Sequence, residues 1–100
     1  MTEQQTRAKS HASIPTEHAS KYLHQLCKHF AHKRPVTFDE HRGQISLMSG
    51  DCYLQAEDAA LAVRVEAEDA ENLPQLEDVV VRHLVRFAFR EELQVEWTKA

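Results

Sequence analysis

From Ala8 to Ile14 the side chains alternate. Ala8, Ser10, Ala12 and Ile14 fall on one side, and Lys9, His11 and Ser13 on the other. A period of two predicts a strand with one buried face, and its small inner residues make that face shallow. From Thr16 to Arg34 the period changes. Ala19, Leu23, Leu26 and Phe30 fall within about a 60° arc of a helix, with Tyr22 and Cys27 on its flanks. Thr16 is the expected N-cap and Glu17 suits the first turn. His32, Lys33 and Arg34 put positive charge on the last turn, and Pro35 stops the helix. Four strands follow. Their inward residues are Val36 and Phe38, then Ile45 and Leu47, then Cys52, Leu54 and Ala56, then Leu61, Val63, Val65 and Ala67. Gly43 and Gly50 read as turn residues between them. Residues 69–91 return to helical period, with Leu73, Leu76, Val80, Leu84 and Phe87 as the apolar stripe. Asn72 and Gln75 resemble a capping box, which puts Pro74 in the first turn. Leu93, Val95 and Trp97 then alternate as a last strand.

The resulting order is β-α-β-β-β-β-α-β. It predicts an α+β two-layer sandwich, a mostly antiparallel sheet with both helices on one face. The other face would show Thr37, Asp39, Gln44, Ser46, Tyr53, Gln55, Arg64 and Glu66. At 100 residues and 11.5 kDa the chain is one domain. Residues 7–98 form it, and the polar residues 1–6 are expected to be a disordered tail. Such a length leaves no room for a barrel enzyme or a two-lobed dinucleotide enzyme.

Charge narrows the partners. Twelve basic residues against sixteen acidic give a net −4, which argues against nucleic acid. Two cysteines are too few for a disulfide scaffold, so both are expected to be unpaired in a reducing compartment. No apolar run is long enough to span a membrane, and the polar start is unlike a secretory signal. A cytoplasmic location is the expectation.

The densest chemical cluster is His24, Cys27, His29 and His32. On a helix, His24 with Cys27 and His29 with His32 point roughly 160–180° apart, so the four cannot share one ion. Neither a metal nor a cofactor is expected. Cys27 beside His24 lacks an orienting group and an oxyanion donor, so no catalytic residue is assigned. The acids between Glu57 and Asp78 read as a solvated face and a favourable helix start. The stripe Val79, His83, Arg86 and Arg90 runs along the edge of the second helix at i, i+4, i+7 and i+11. One reading pairs these charges internally with Glu91, Glu92 or an acid on the first helix. The other makes them an anion site, since Arg offers planar bidentate donors. If the two helices lie side by side, His29 faces this stripe. The expected ligand-binding set is therefore His29, His83, Arg86 and Arg90, for an acidic small molecule or an acidic protein segment.

The segments Leu26–Lys33 and Arg82–Leu93 resemble the two signature blocks of a bacterial family, domain of unknown function 2218, over about Ala8 to Trp97. The strand and helix order is also similar to one half of a TATA-binding-protein-like domain, an analogy of fold that carries no implication of DNA binding. The resemblance implies relatives that are fused to, or neighbours of, siderophore-interacting flavin reductases and iron-uptake components. The resemblance thus implies a link to iron and siderophore metabolism. The expected function is a small non-catalytic binding or accessory domain. The alternatives are a small enzyme using His29, His83 and the arginines on an acidic small molecule, and an interaction module that forms a homodimer through its open sheet face.

Overall fold

The computed structural model describes residues 7–99. The expected tail at residues 1–6 lies outside the described residues. The elements are β1 (Ala8–Pro15), α1 (Ala19–Ala31), β2 (Val36–Phe38), β3 (Arg42–Leu47), β4 (Gly50–Ala56), β5 (Ala60–Ala67), α2 (Leu73–Phe87) and β6 (Thr98–Lys99). A single 3-10 turn, Ala70–Asn72, precedes α2. All pairings are antiparallel and the sheet order is β2-β3-β4-β5-β1-β6. The α1 crossover carries the chain from β1 to the far edge. A meander then returns it to β1, and α2 carries it over to β6.

The alternation in β1, β3, β4 and β5 builds one apolar floor. Ile14 lies opposite Leu61, Ala12 opposite Val63, and Cys52 between Ile45 and Val65. Leu23 and Leu26 from α1 and Val80 and Leu84 from α2 close over this floor, all of them buried. The architecture is the expected α+β two-layer sandwich. Ser10 sits on the same floor at 0 % exposure. Its hydroxyl donates to Glu77 Oε2 of α2 at 2.6 Å, which satisfies a polar group the core would otherwise strand. Cys27 and Cys52 are buried and unpaired. Burial pushes the Cys27 thiol up to about 11 and moves Cys52 in the same direction. No helix among the described residues is long and apolar enough to cross a membrane.

Several local expectations change. The first helix is Ala19–Ala31 rather than residues 16–34, and Thr16 is not its N-cap. Thr16 N–H still bonds Ala59 across the sheet, and its hydroxyl accepts from His18 N–H at 3.1 Å. Asn72 occupies the N-cap of α2 but makes no side-chain cap, so the capping box does not form. Gly43 and Gly50 are inward strand residues, not turn residues, and neither has positive φ. Both are sites of close approach. A Cβ on Gly43 would meet Cys27 Sγ at 2.6 Å, and one on Gly50 would run into the Glu66 carbonyl and Leu76. Phe38 shares its inward side with Gly43 but lies at the sheet edge, 39 % exposed. Leu93, Val95 and Trp97 alternate half-buried against the core without pairing, and the last strand is Thr98–Lys99.

Candidate functional site

The α1–α2 seam brings two expected residues together. His29 projects from the flank of α1 and His83 from the facing flank of α2, with ring centroids 4.8 Å apart. Phe30 packs 4.9 Å from His83, and Phe87 meets His29 edge-on at 5.8 Å. His83 Nδ1 donates to the Val79 carbonyl at 2.7 Å. A carbonyl only accepts, so Nδ1 holds the proton and Nε2 is the second, unbonded ring position. Burial against its neighbours lowers the pKa of His29, and repulsion from His83, Arg86, His32 and Lys33 lowers it further. Arg86 is exposed and has no ion-pair partner among the described residues.

Arg90 is not part of this stripe. Helix α2 ends at Phe87, so the position three turns on from Val79 is no longer helical. Its guanidinium lies 5.4 Å over the Phe89 ring and lines a separate depression beyond Phe87. The alternative pairing of Arg86 and Arg90 with Glu91, Glu92 or an acid on the first helix does not form among the described residues. Glu91 Oε2 instead accepts a short hydrogen bond from the Tyr22 hydroxyl and one from Thr16 at 3.1 Å. These bonds hold the Glu91 carboxyl below its usual range. Burial, with the Glu91 carboxylate beside it, pushes the Tyr22 hydroxyl up to about 12. The bonds cross 75 and 69 positions of sequence, so no local motif announces them.

The four-residue Cys/His cluster is dispersed. His24 stacks on Phe38 at 5.6 Å and approaches the Asp39 carbonyl at 3.2 Å, on the β2 side of α1. His29 lies on the α2 side. No group of three or more His, Cys, Asp or Glu among the described residues is placed to hold a metal ion.

The open face of the sheet, which the sequence offers only as a dimerisation surface, is a broad trough of about 960 Å³. Register aligns Thr37, Gln44, Tyr53, Arg64 and His11 in one row across five strands. Arg64 lies 4.4 Å over the Tyr53 ring, and its Nε bonds Glu66 at 3.0 Å. Arg7 in turn holds Glu66 at 3.6 Å and Asp51 at 3.1 Å. At the rim, the Asp39 carboxylate accepts from the His41 and Arg42 amides, which lowers its pKa.

A family model described as an uncharacterized protein conserved in bacteria (DUF2218) matches residues 11–98. The NMR structure of PA4090 from Pseudomonas aeruginosa is 34% identical, with a TM-score of 0.71 over 92% of this chain and 94% of that one. No curated protein matches the chain.

Proposed function

The chain belongs to the bacterial family DUF2218, and from that premise we propose that it is a non-catalytic binding domain that takes a carboxylate-bearing ligand at the α1–α2 seam. The observation that carries the reading is the charge around His29. His83 lies 4.8 Å away, the charges of His83, Arg86, His32 and Lys33 all disfavour its protonated form, and no acid is among the groups that shift it, in a chain whose net charge is −4. Cations gathered without a counter-ion are a charge deficit that an anion completes. Arg86 supplies a planar fork, and the imidazoles supply a donor once either takes up a proton. Arg90 lines the separate depression beyond Phe87 and is not part of the proposed site.

A free polycarboxylate and an acidic protein segment present the same group. The link to iron and siderophore metabolism rests on the family resemblance alone and favours the small polycarboxylate. A cytoplasmic setting without nucleic acid or membrane partners is part of the same reading.

Titration with citrate, followed by amide and imidazole chemical shifts, tests it. Citrate should perturb His29, His83 and Arg86. Charge-assisted bonds to Arg contribute about 1.5–3 kcal/mol, so Arg86→Gln should weaken binding roughly 10- to 150-fold. Arg90→Gln should weaken it less. An oligoglutamate peptide binding where citrate does not would make the ligand a protein segment. No response at the seam to either anion would end the proposal.

A further inference from the structure

We infer that the trough on the open sheet face is a second binding site, built for a neutral, hydroxyl-rich ligand of the saccharide class. The outward positions of a solvated antiparallel sheet need only be polar. Here they are also shaped and fixed. Ser13 and Ala62, opposed across β1 and β5, are small and leave a low floor. Beside them stands the Tyr53–Arg64 stack. That stack is held by a chain of charges running from Asp51 through Arg7 and Glu66 to Arg64. Holding an exposed Arg in one place costs side-chain entropy, and the result is a guanidinium whose terminal nitrogens are aimed by Nε and by the ring.

The rest of the lining is formally neutral. Arg42 and Arg64 are balanced by Asp39 and Glu57. The side chains of Thr37, Gln44, Gln55, Ser13 and His11 and the Tyr53 hydroxyl make no hydrogen bond to the protein among the described residues. Uncommitted hydroxyls and amides on a rigid row match a ligand that both donates and accepts at many points. The absence of net charge separates this ligand from the carboxylate proposed for the seam. A second copy of the chain fits less well. Five strands spaced about 4.8 Å apart make a face roughly 20 Å wide. Its centre is polar, where stable interfaces are apolar at the centre.

The test is a shift titration of the full chain with maltotriose and with triacetylchitotriose. Binding should perturb Gln44, Tyr53, Gln55 and Arg64 and leave His29 and His83 unmoved. Tyr53→Ala should lower affinity at least about 10-fold, and Gln44→Ala or Gln55→Ala about 2- to 10-fold each. Glu66→Gln, which leaves every contacting side chain in place, should also weaken binding by releasing Arg64. Unchanged melting of Gln44→Ala and Gln55→Ala separates recognition from stability. No shift with either trisaccharide, a response here only to citrate, or a dimer in sedimentation that covers the face would each overturn the inference.

Discussion

At the helix seam, His83, Arg86, His32 and Lys33 surround His29 with no acid among them. On the opposite face of the molecule, Arg7 and Arg64 are each held by carboxylates, and Arg64 is stacked on Tyr53 as well. One surface has a charge deficit on side chains with no ion pair among the described residues. The other has a closed charge account with fixed ones. The difference follows from the backbone beneath. Strand register dictates which residues face each other across β4, β5 and β1, so opposite charges are drawn into a network. At the seam the flanks of the two helices meet through Phe30, Phe87 and the two imidazoles. Surfaces with a deficit recognise charge, and surfaces with fixed geometry recognise shape.

The largest effect is expected from a substitution that both regions feel. Gly50 lies under α2 and beside Glu66. A Cβ there would run into the Glu66 carbonyl and approach Leu76 at 2.8 Å and Ala67 Cα at 2.9 Å. The backbone atoms cannot step aside cheaply, so Gly50→Ala should cost about 3 kcal/mol or more. For a domain of this size that lowers the melting temperature by roughly 12–24 °C. A drop of only a degree or two would show that β4 and α2 yield, and that the two surfaces are not mechanically tied there.

The next substitution separates them. The Tyr22 hydroxyl and Thr16 anchor Glu91 and so fix the chain as it leaves α2. Tyr22→Phe keeps the buried ring and loses a bond to a carboxylate, at a cost of about 1.5–3 kcal/mol. It should loosen the end of the seam, seen as a changed His29 environment, while Tyr53 and Arg64 shifts stay put. Burial, together with this bond, raises the Tyr22 hydroxyl to about 12. Its raised pKa contributes stability that is complete below the ordinary tyrosine value of about 10 and is lost as pH rises through about 12. Absorbance at alkaline pH, compared between the native protein and Tyr22→Phe, checks this.

The anchor also explains what the sequence could and could not disclose. Alternation in β1 and β3–β5 and the Leu stripes on both helices are local signals, and they placed the sheet, the helices and the shared apolar face correctly. His29 and His83 followed because each flanks its own stripe. Arg90 did not follow, because helical period continues past Phe87 while the chain does not. Glu91 is drawn back to residues 69 and 75 positions earlier, and no periodicity encodes that. Gly43 and Gly50 were misplaced for the same reason. A glycine needed for a turn and one needed for a neighbour's sulfur or carbonyl look alike until the neighbour is known. The trough is visible as a set of polar residues, but the stack that shapes it depends on register between β4 and β5.

The smallest expected effect is the one most diagnostic of the comparison. His29 has its pKa lowered, first by burial and then by the cations around it. A folded-state value below the ordinary 6.5 or so means that the unfolded chain takes up the proton first as pH falls. Stability from this group is therefore complete above about pH 6.5 and is lost as pH falls through the folded value. The melting temperature should decline by a few degrees at most across that window, and His29→Gln should flatten the decline. Glu91, whose pKa is also lowered, gives up its contribution only below the ordinary carboxylate value of about 4.3, so its loss begins at lower pH than that of His29. Citrate reverses the sign at the seam. A bound carboxylate favours the imidazolium, so citrate affinity should rise as pH falls toward 6 and the acid-side decline should shrink in its presence. The trough carries no such deficit, so maltotriose affinity should change less than citrate affinity over the same range. A decline that survives His29→Gln would move the titration to another group. A pH-independent citrate affinity would mean that the anion does not sit against His29, and the contrast between the two surfaces would lose its charge term.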